Sequence, residues 1–172
     1  MIQQEGMRPI YREVQQFRQG WIWTVVVAIA GLIWVAGVRQ LILNRPFGGQ
    51  PMPDILLVIF WLIFGIGFPA LFLFCRLVIE VRDDGIYIRF SPFHLSFRRI
   101  GFEKLKEYEV RTYRPIREYG GWGIRSGSKG KAYNVSGDRG VQLVLTNGRR
   151  LLLGSQRPEA LWQAIHEGAR GR

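Results

Sequence analysis

The sequence predicts a membrane α-hairpin followed by an α+β domain: two transmembrane helices, then an antiparallel sheet or open barrel closed by a C-terminal helix. Three observations carry this reading. Apolar residues crowd into positions 20–79, and two runs there are free of charge, Gly20–Val38 and Ile55–Cys75. Beyond Leu77 the hydrophobic period falls to two, the mark of strands. A last segment opening with Pro158 returns to helical spacing.

A helix needs about 20 apolar residues to cross the hydrocarbon core of a bilayer, and both runs reach that length. The spans are placed at about 20–43 and 55–77. Trp21, Trp23 and Trp34 lie toward the ends of the first run, where indoles favour the interface. A cleaved leader is the alternative for that run, but it exceeds a typical leader core and no small-x-small site follows it. Between the spans, Asn44–Asp54 is rich in Gly and Pro and reads as a turn, with Asp54 placed to cap the second helix. Pro69, after Gly65 and Gly67, is expected to kink that helix.

Residues 1–19 form an N-terminal arm. Ile10, Val14, Phe17 and Trp21 recur at one-face helical spacing, which suits an interfacial helix, with an extended arm as the alternative. Arg8, Arg12 and Arg18 precede the first span, Arg39 and Arg45 flank the turn, and Arg76, Arg82 and Arg89 follow the second. Basic residues favour the cytoplasm, so both termini are expected inside a multi-pass cell-membrane protein.

The domain is expected over 80–172. LVIEVRDDGIYIRF reads as a hairpin on an Asp84-Gly85 loop, with Val81 facing Ile88 and Glu80 facing Arg89. Phe93, Leu95 and Phe97 alternate with His94, Ser96 and Arg98 as a further strand, and Tyr108, Val110 and Thr112 as another. Tyr119–Gly140 holds seven glycines and reads as two short strands around a tight turn. GVQLVLTNGRRLLLGSQ is a second hairpin tipped by Asn147-Gly148. Pro158 then suits the first turn of a helix whose apolar face is Leu161, Ala164 and Ile165, with Gly168 to end it.

Together LVIEVRDDGIYIRF, GVQLVLTNGRRLLLGSQ and the helix opening RPEAL resemble the pleckstrin-homology-like domains of bacterial and archaeal membrane proteins. The resemblance covers roughly 55–172. It implies a bent sheet or open barrel closed by the final helix, and it supplies no catalytic residues. Eukaryotic members that bind phosphoinositides carry a basic motif in the first interstrand loop. Here that loop is RDDG, so the resemblance does not imply that lipid site.

The net charge is +11, and residues 82–172 hold 18 of the 24 Lys and Arg against 9 Asp and Glu. Beside a membrane such an excess attracts an anionic leaflet, or simply solvates a cytoplasmic face. Aromatic and basic residues together also suit single-stranded nucleic acid, but the membrane tether and ordered hairpins already account for the composition. His94 and His166 are the only histidines and Cys75 the only cysteine, so neither a zinc cluster nor an internal disulfide is expected. G-S-K-G is neither a Walker loop nor a nucleophile elbow. Glu103, Glu107 and Glu109 fit a solvated face. No enzyme activity and no cofactor are expected.

The sharpest candidate site is IRSGSKGK, where Arg125, Lys129 and Lys131 accompany glycines whose backbone N–H groups can approach an anion. An ordinary exposed turn is the alternative. Tyr119, Trp122 and Tyr133 lie nearby, as contacts for a partner or as core filling. Arg149, Arg150 and Arg157 read as equal charge outside that loop. The partners considered are the bilayer, its anionic headgroups and a membrane protein. Two functions follow: a membrane-anchored binding module for anionic lipid, or an adaptor subunit that docks a protein.

Overall fold

The computed structural model describes residues 9–45, 48–49 and 52–171. They form two compact units. The first joins an N-terminal strand to everything from Arg76 onward; the second is Phe17–Cys75.

The second unit is a pair of apolar helices, α1 (Gly20–Ile42) and α2 (Asp54–Phe74), each long and apolar enough to cross a membrane. In the turn between them, residues 46–47 and 50–51 lie outside the described residues, as does Arg8 of the N-terminal flank. Asp54 does not cap α2. Its carboxylate accepts Gln40 Nε2 at 2.7 Å, which fastens the end of α1 to the start of α2.

The expected irregularity before Pro69 is a π-type turn over Trp61–Gly67. Proline brings no N–H to the helix. The carbonyl of Gly65, four residues earlier, instead accepts Trp34 Nε1 at 3.1 Å. The Trp34 and Trp61 rings meet edge-on at 4.8 Å. Trp34 therefore bridges the helices, where an interfacial anchor was expected. Trp34→Phe is expected to cost about 1 kcal/mol, the net worth of one such bond. The loss should shrink in a Pro69→Ala background, where a backbone N–H is restored. Detergent-unfolding midpoints of the four chains check this, and equal losses in both backgrounds would refute it.

Among the described residues the first unit contains nine strands. β1 (Tyr11–Gln16), β2 (Arg76–Arg82), β3 (Gly85–Ser91) and β4 (Arg98–Gly101) form an antiparallel sheet in that order. β5 (Leu105–Thr112), β6 (Gly123–Gly127), β7 (Gly130–Asn134), β8 (Arg139–Leu145) and β9 (Arg150–Gly154) form a second sheet in the order β5-β8-β9-β7-β6. One turn of helix, α3 (Pro115–Tyr119), joins β5 to β6, and α4 (Pro158–Arg170) ends the chain.

The core lies between these elements. Leu77, Ile79, Val81, Ile86, Ile88 and Phe90 come from the first sheet, Val141, Leu143 and Leu153 from the second, and Leu161 and Ile165 from α4, all nearly inaccessible. Each such side chain is worth about 1.5–3 kcal/mol on removal from water, so this interface dominates the stability of the unit.

Five expectations change. The arm is a strand, not an interfacial helix: β1 pairs with β2 from Tyr11↔Val81 to Gln16↔Arg76. The β2–β3 hairpin turns on Asp83 and Asp84, so Val81 faces Ile86 and Glu80 faces Tyr87. Gly85 opens β3 because a Cβ there would meet Ile100 O of β4 at 2.4 Å. Glu80 pairs instead with Arg82 at 2.7 Å and Arg12 at 3.4 Å. Residues 93–97 are a turn, and the expected burial is inverted, with His94 inside and Phe93 and Leu95 outside. The second sheet is mixed, since β7 runs parallel to β9. Gly168 lies within α4, whose approach to Phe102 leaves no room for a side chain.

Candidate functional site

Three connections of the first unit converge on one groove of about 660 Å³. Its walls carry Arg98 and Arg99 from β4, Lys129 and Lys131 from the β6–β7 hairpin, and Arg149 and Arg150 from the β8–β9 hairpin. Apolar side chains of Ile88, Ile100 and Leu151 form its floor, and among the described residues no carboxylate lines it.

Local rules set these positions. In the β6–β7 hairpin Gly127 faces Gly130, which puts Ser128 and Lys129 at the tip. Lys131 then faces Ser126 on one side and Leu151 on the other. At the β8–β9 turn Leu145 N donates to Arg149 O at 2.8 Å, and Arg149 N donates to Asn147 Oδ1 at 3.1 Å. Gly148 has φ +79°, so this is a three-residue turn ending in a left-handed residue. It carries Arg149 and Arg150 to the groove.

Arg99 is held by Asp84, Nε to Oδ2 at 2.8 Å. Arg98 Nη1 lies 3.5 Å from Tyr133 Oη, and the Lys131 ammonium stands 5.1 Å from the Tyr133 ring. Among the described residues, Arg98, Lys129, Lys131, Arg149 and Arg150 form no salt bridge. Like charges gathered over an apolar floor repel one another, and a bound anion relieves that repulsion.

The structure thus divides the expected loop. Lys129 and Lys131 reach the groove, whereas Arg125 turns away and donates from Nε to Trp122 O at 2.9 Å. Trp122 is half-buried and donates to Gly137 O at 3.1 Å. Tyr119 is buried with Tyr113, Ala132 and Leu152 and fills the core. Tyr113 Oη accepts Asn134 Nδ2 at 3.2 Å, and burial pushes its phenol up to about 12 against that bond. Tyr133 alone of the three expected aromatics lines the groove.

The sequence alone does not mark Arg98, Arg99, Arg149 and Arg150 as site residues, and it places Arg149 and Arg150 outside the candidate loop. Their signal was present as two Arg-Arg pairs, FRRI and GRRL, each against apolar strand residues. Arg157 does lie elsewhere, its guanidinium 5.3 Å from the Tyr11 ring. Among the described residues no group of three His, Cys, Asp or Glu is placed to hold a metal ion.

His94 borders the groove. Its ring meets Tyr133 edge-on at 5.6 Å, and its Nδ1 accepts Phe90 N at 3.3 Å. Burial lowers its pKa, and the positive charges of Arg98 and Lys131 lower it further. The unfolded chain then takes up a proton at this ring before the folded chain does. Stability should be full above about pH 6.5 and fall as pH drops below it. Urea midpoints between pH 7.5 and 5 check this, and His94→Gln should flatten the profile. An unaltered slope in that variant would remove His94 as the cause.

An apolar helix pair joined to a two-sheet unit with a basic groove is the class of protein these features define. The chain belongs to a family of unknown function, DUF6141, whose model matches residues 2–170. No curated protein and no solved structure matches the chain significantly.

Proposed function

We propose that this chain is a membrane-anchored binding module whose basic groove takes a phosphate-bearing anionic group, the headgroup of an anionic lipid foremost. The groove carries the reading. Six cationic residues from three separate stretches of the chain line one cavity, and among the described residues no carboxylate lines it. Guanidinium and ammonium groups together match a phosphate through charge-assisted hydrogen bonds.

In this reading α1 and α2 cross the bilayer. β1 precedes α1 and β2 follows α2, and the two strands pair along six residues. That pairing supports both ends of the hairpin lying on one side, and the excess of basic residues supports that side being the cytoplasm. A four-stranded antiparallel sheet, a second sheet and a closing helix support a pleckstrin-homology-like fold, with the parallel β7–β9 pair as a departure from it.

The test uses the full chain in non-ionic detergent, because a fragment from residue 82 would lack β1 and β2. Titration with short-chain phosphatidate is compared with short-chain phosphatidylcholine. Changing Lys129, Lys131, Arg149 and Arg150 to Gln should weaken phosphatidate binding by about tenfold or more, the loss of at least one charged hydrogen bond. Changing Arg114, Arg117, Arg125 and Arg170 to Gln removes the same charge from exposed positions outside the groove. Equal losses from both sets would reduce the groove to part of a diffuse basic surface. No preference for phosphatidate would favour the protein-docking adaptor.

A further inference from the structure

The connection between β3 and β4 presents apolar side chains to solvent in an unusual way. Leu95 is 96% exposed and Phe93 60% exposed, while His94 between them is 8% exposed. The arrangement is braced. His94 N donates to Phe90 O at 2.8 Å, and Phe90 N donates to His94 Nδ1 at 3.3 Å. The buried imidazole acts as a peg, and its two neighbours are pushed outward. Leaving a leucine almost wholly in water forgoes about 1.5–3 kcal/mol that burial would supply.

Strand register says where this tip lies within the first sheet. Gln16, Arg76 and Ser91 are cross-strand neighbours at one end of it. Arg76 is the second residue after the last residue of α2, and Gln16 is the fourth before the first residue of α1. Phe93 follows Ser91 by two residues. At about 3.3–3.6 Å per extended residue, Phe93 and Leu95 leave the sheet from the same end at which the chain joins both apolar helices. The Asp83-Asp84 turn marks the opposite end, a full strand length away.

We propose that Phe93 and Leu95 form a membrane-docking tip that enters the interface of an anionic bilayer and seats the β unit against it. The proposal rests on the reading that α1 and α2 cross that bilayer. Charge selects the occupant. The Tyr133 ring that meets His94 at 5.6 Å has Arg98 Nη1 3.5 Å from its hydroxyl and the Lys131 ammonium 5.1 Å from its centre, so positive charge stands beside the tip, and Arg89 lies on the same strand as its anchor Phe90. That surround attracts anionic headgroups and repels a second copy of the same surface. Tethering does the rest. Two apolar side chains would hold a free protein to a membrane only weakly, but a tip at the end of the sheet from which the chain enters both spans meets the surface at a high effective concentration. The tip then supplies the groove with lipid headgroups, not free phosphate.

A label near the bilayer reads this directly. In a Cys75→Ala full-length chain, single cysteines at Leu95, Asp83 and Ile63 would carry bimane. Each chain would be reconstituted into anionic vesicles with bromine on the acyl chains. Leu95 and Asp83 are at the surface, so labelling them leaves the core intact. Strong quenching is expected at 63 and at 95, with little at 83. Quenching at 63 but not at 95 would overturn the docking tip and leave the spans standing. No quenching at 63 would overturn the spans and the tip with them. A blue shift at 95 without quenching would assign Phe93 and Leu95 to a protein contact and overturn the proposal.

Discussion

Replacing Glu13 by alanine is expected to destabilise the β unit by about 3 kcal/mol or more and to release β1 from its sheet. The carboxylate is buried and accepts three hydrogen bonds: from Tyr11 Oη at 2.6 Å, Ser155 Oγ at 2.6 Å and Gln156 N at 2.7 Å. Burial and the adjoining carboxylate push the Tyr11 phenol up to about 12, so it stays a donor throughout the neutral range. Truncation would leave these donors without their acceptor, at about 1–3 kcal/mol for each buried one. Gln15 adds a bond from Nε2 to Gly154 O at 2.7 Å, but one such bond cannot hold the strand alone. Glu13→Gln keeps one acceptor oxygen and should fall between wild type and alanine. Hydrogen exchange of the full chain at residues 11–16 and 76–82 checks this, alongside urea unfolding. Full protection of β1 in the alanine variant would show that β1–β2 backbone pairing suffices without the carboxylate.

That clamp also shows why the arm was misread. Ile10, Val14 and Phe17 do recur at helical spacing, yet the side chains that β1 buries are Tyr11, Glu13 and Gln15. Period-two burial of polar residues resembles an exposed strand unless the partners are known. Those partners, Gly154, Ser155 and Gln156, lie about 140 residues away. By contrast, the β8–β9 hairpin was legible because its turn residues and alternation are local. The helix pair was legible because length and apolarity alone define it. The β2–β3 register slipped because Asp84-Gly85 suits a two-residue loop. The glycine there answers instead to the close approach of β4, which no local pattern records. The groove was half legible for the same reason. Lys129 and Lys131 stand out within one loop, but Arg98, Arg99, Arg149 and Arg150 join them only through the pairing of β7 with β9 and the packing of two sheets.

That β7–β9 pairing yields the other large effect. Gly130→Ala is expected to cost about 3 kcal/mol or more, and Gly148→Ala only about 1 kcal/mol, although both glycines have positive φ. At Gly148, φ is +79° and nothing lies within 4 Å of an added Cβ, so backbone strain is the whole penalty. At Gly130, φ is +103° and the Cβ would stand 2.4 Å from Arg150 O and 2.8 Å from Arg150 Cβ. A backbone oxygen cannot swing aside as a side-chain tip can, so β7 must move off β9. That parallel ladder spans only three residue pairs, Lys131↔Leu151 to Tyr133↔Leu153, and has little to lose before it opens. Opening it would also separate Lys129 and Lys131 from Arg149 and Arg150. Gly130→Ala should therefore weaken phosphatidate binding in step with stability, while Gly148→Ala should leave binding nearly intact. Urea midpoints and phosphatidate titrations of the two full-length variants decide it. Equal destabilisation by both would mean that φ alone governs and that β7 can yield around a methyl group.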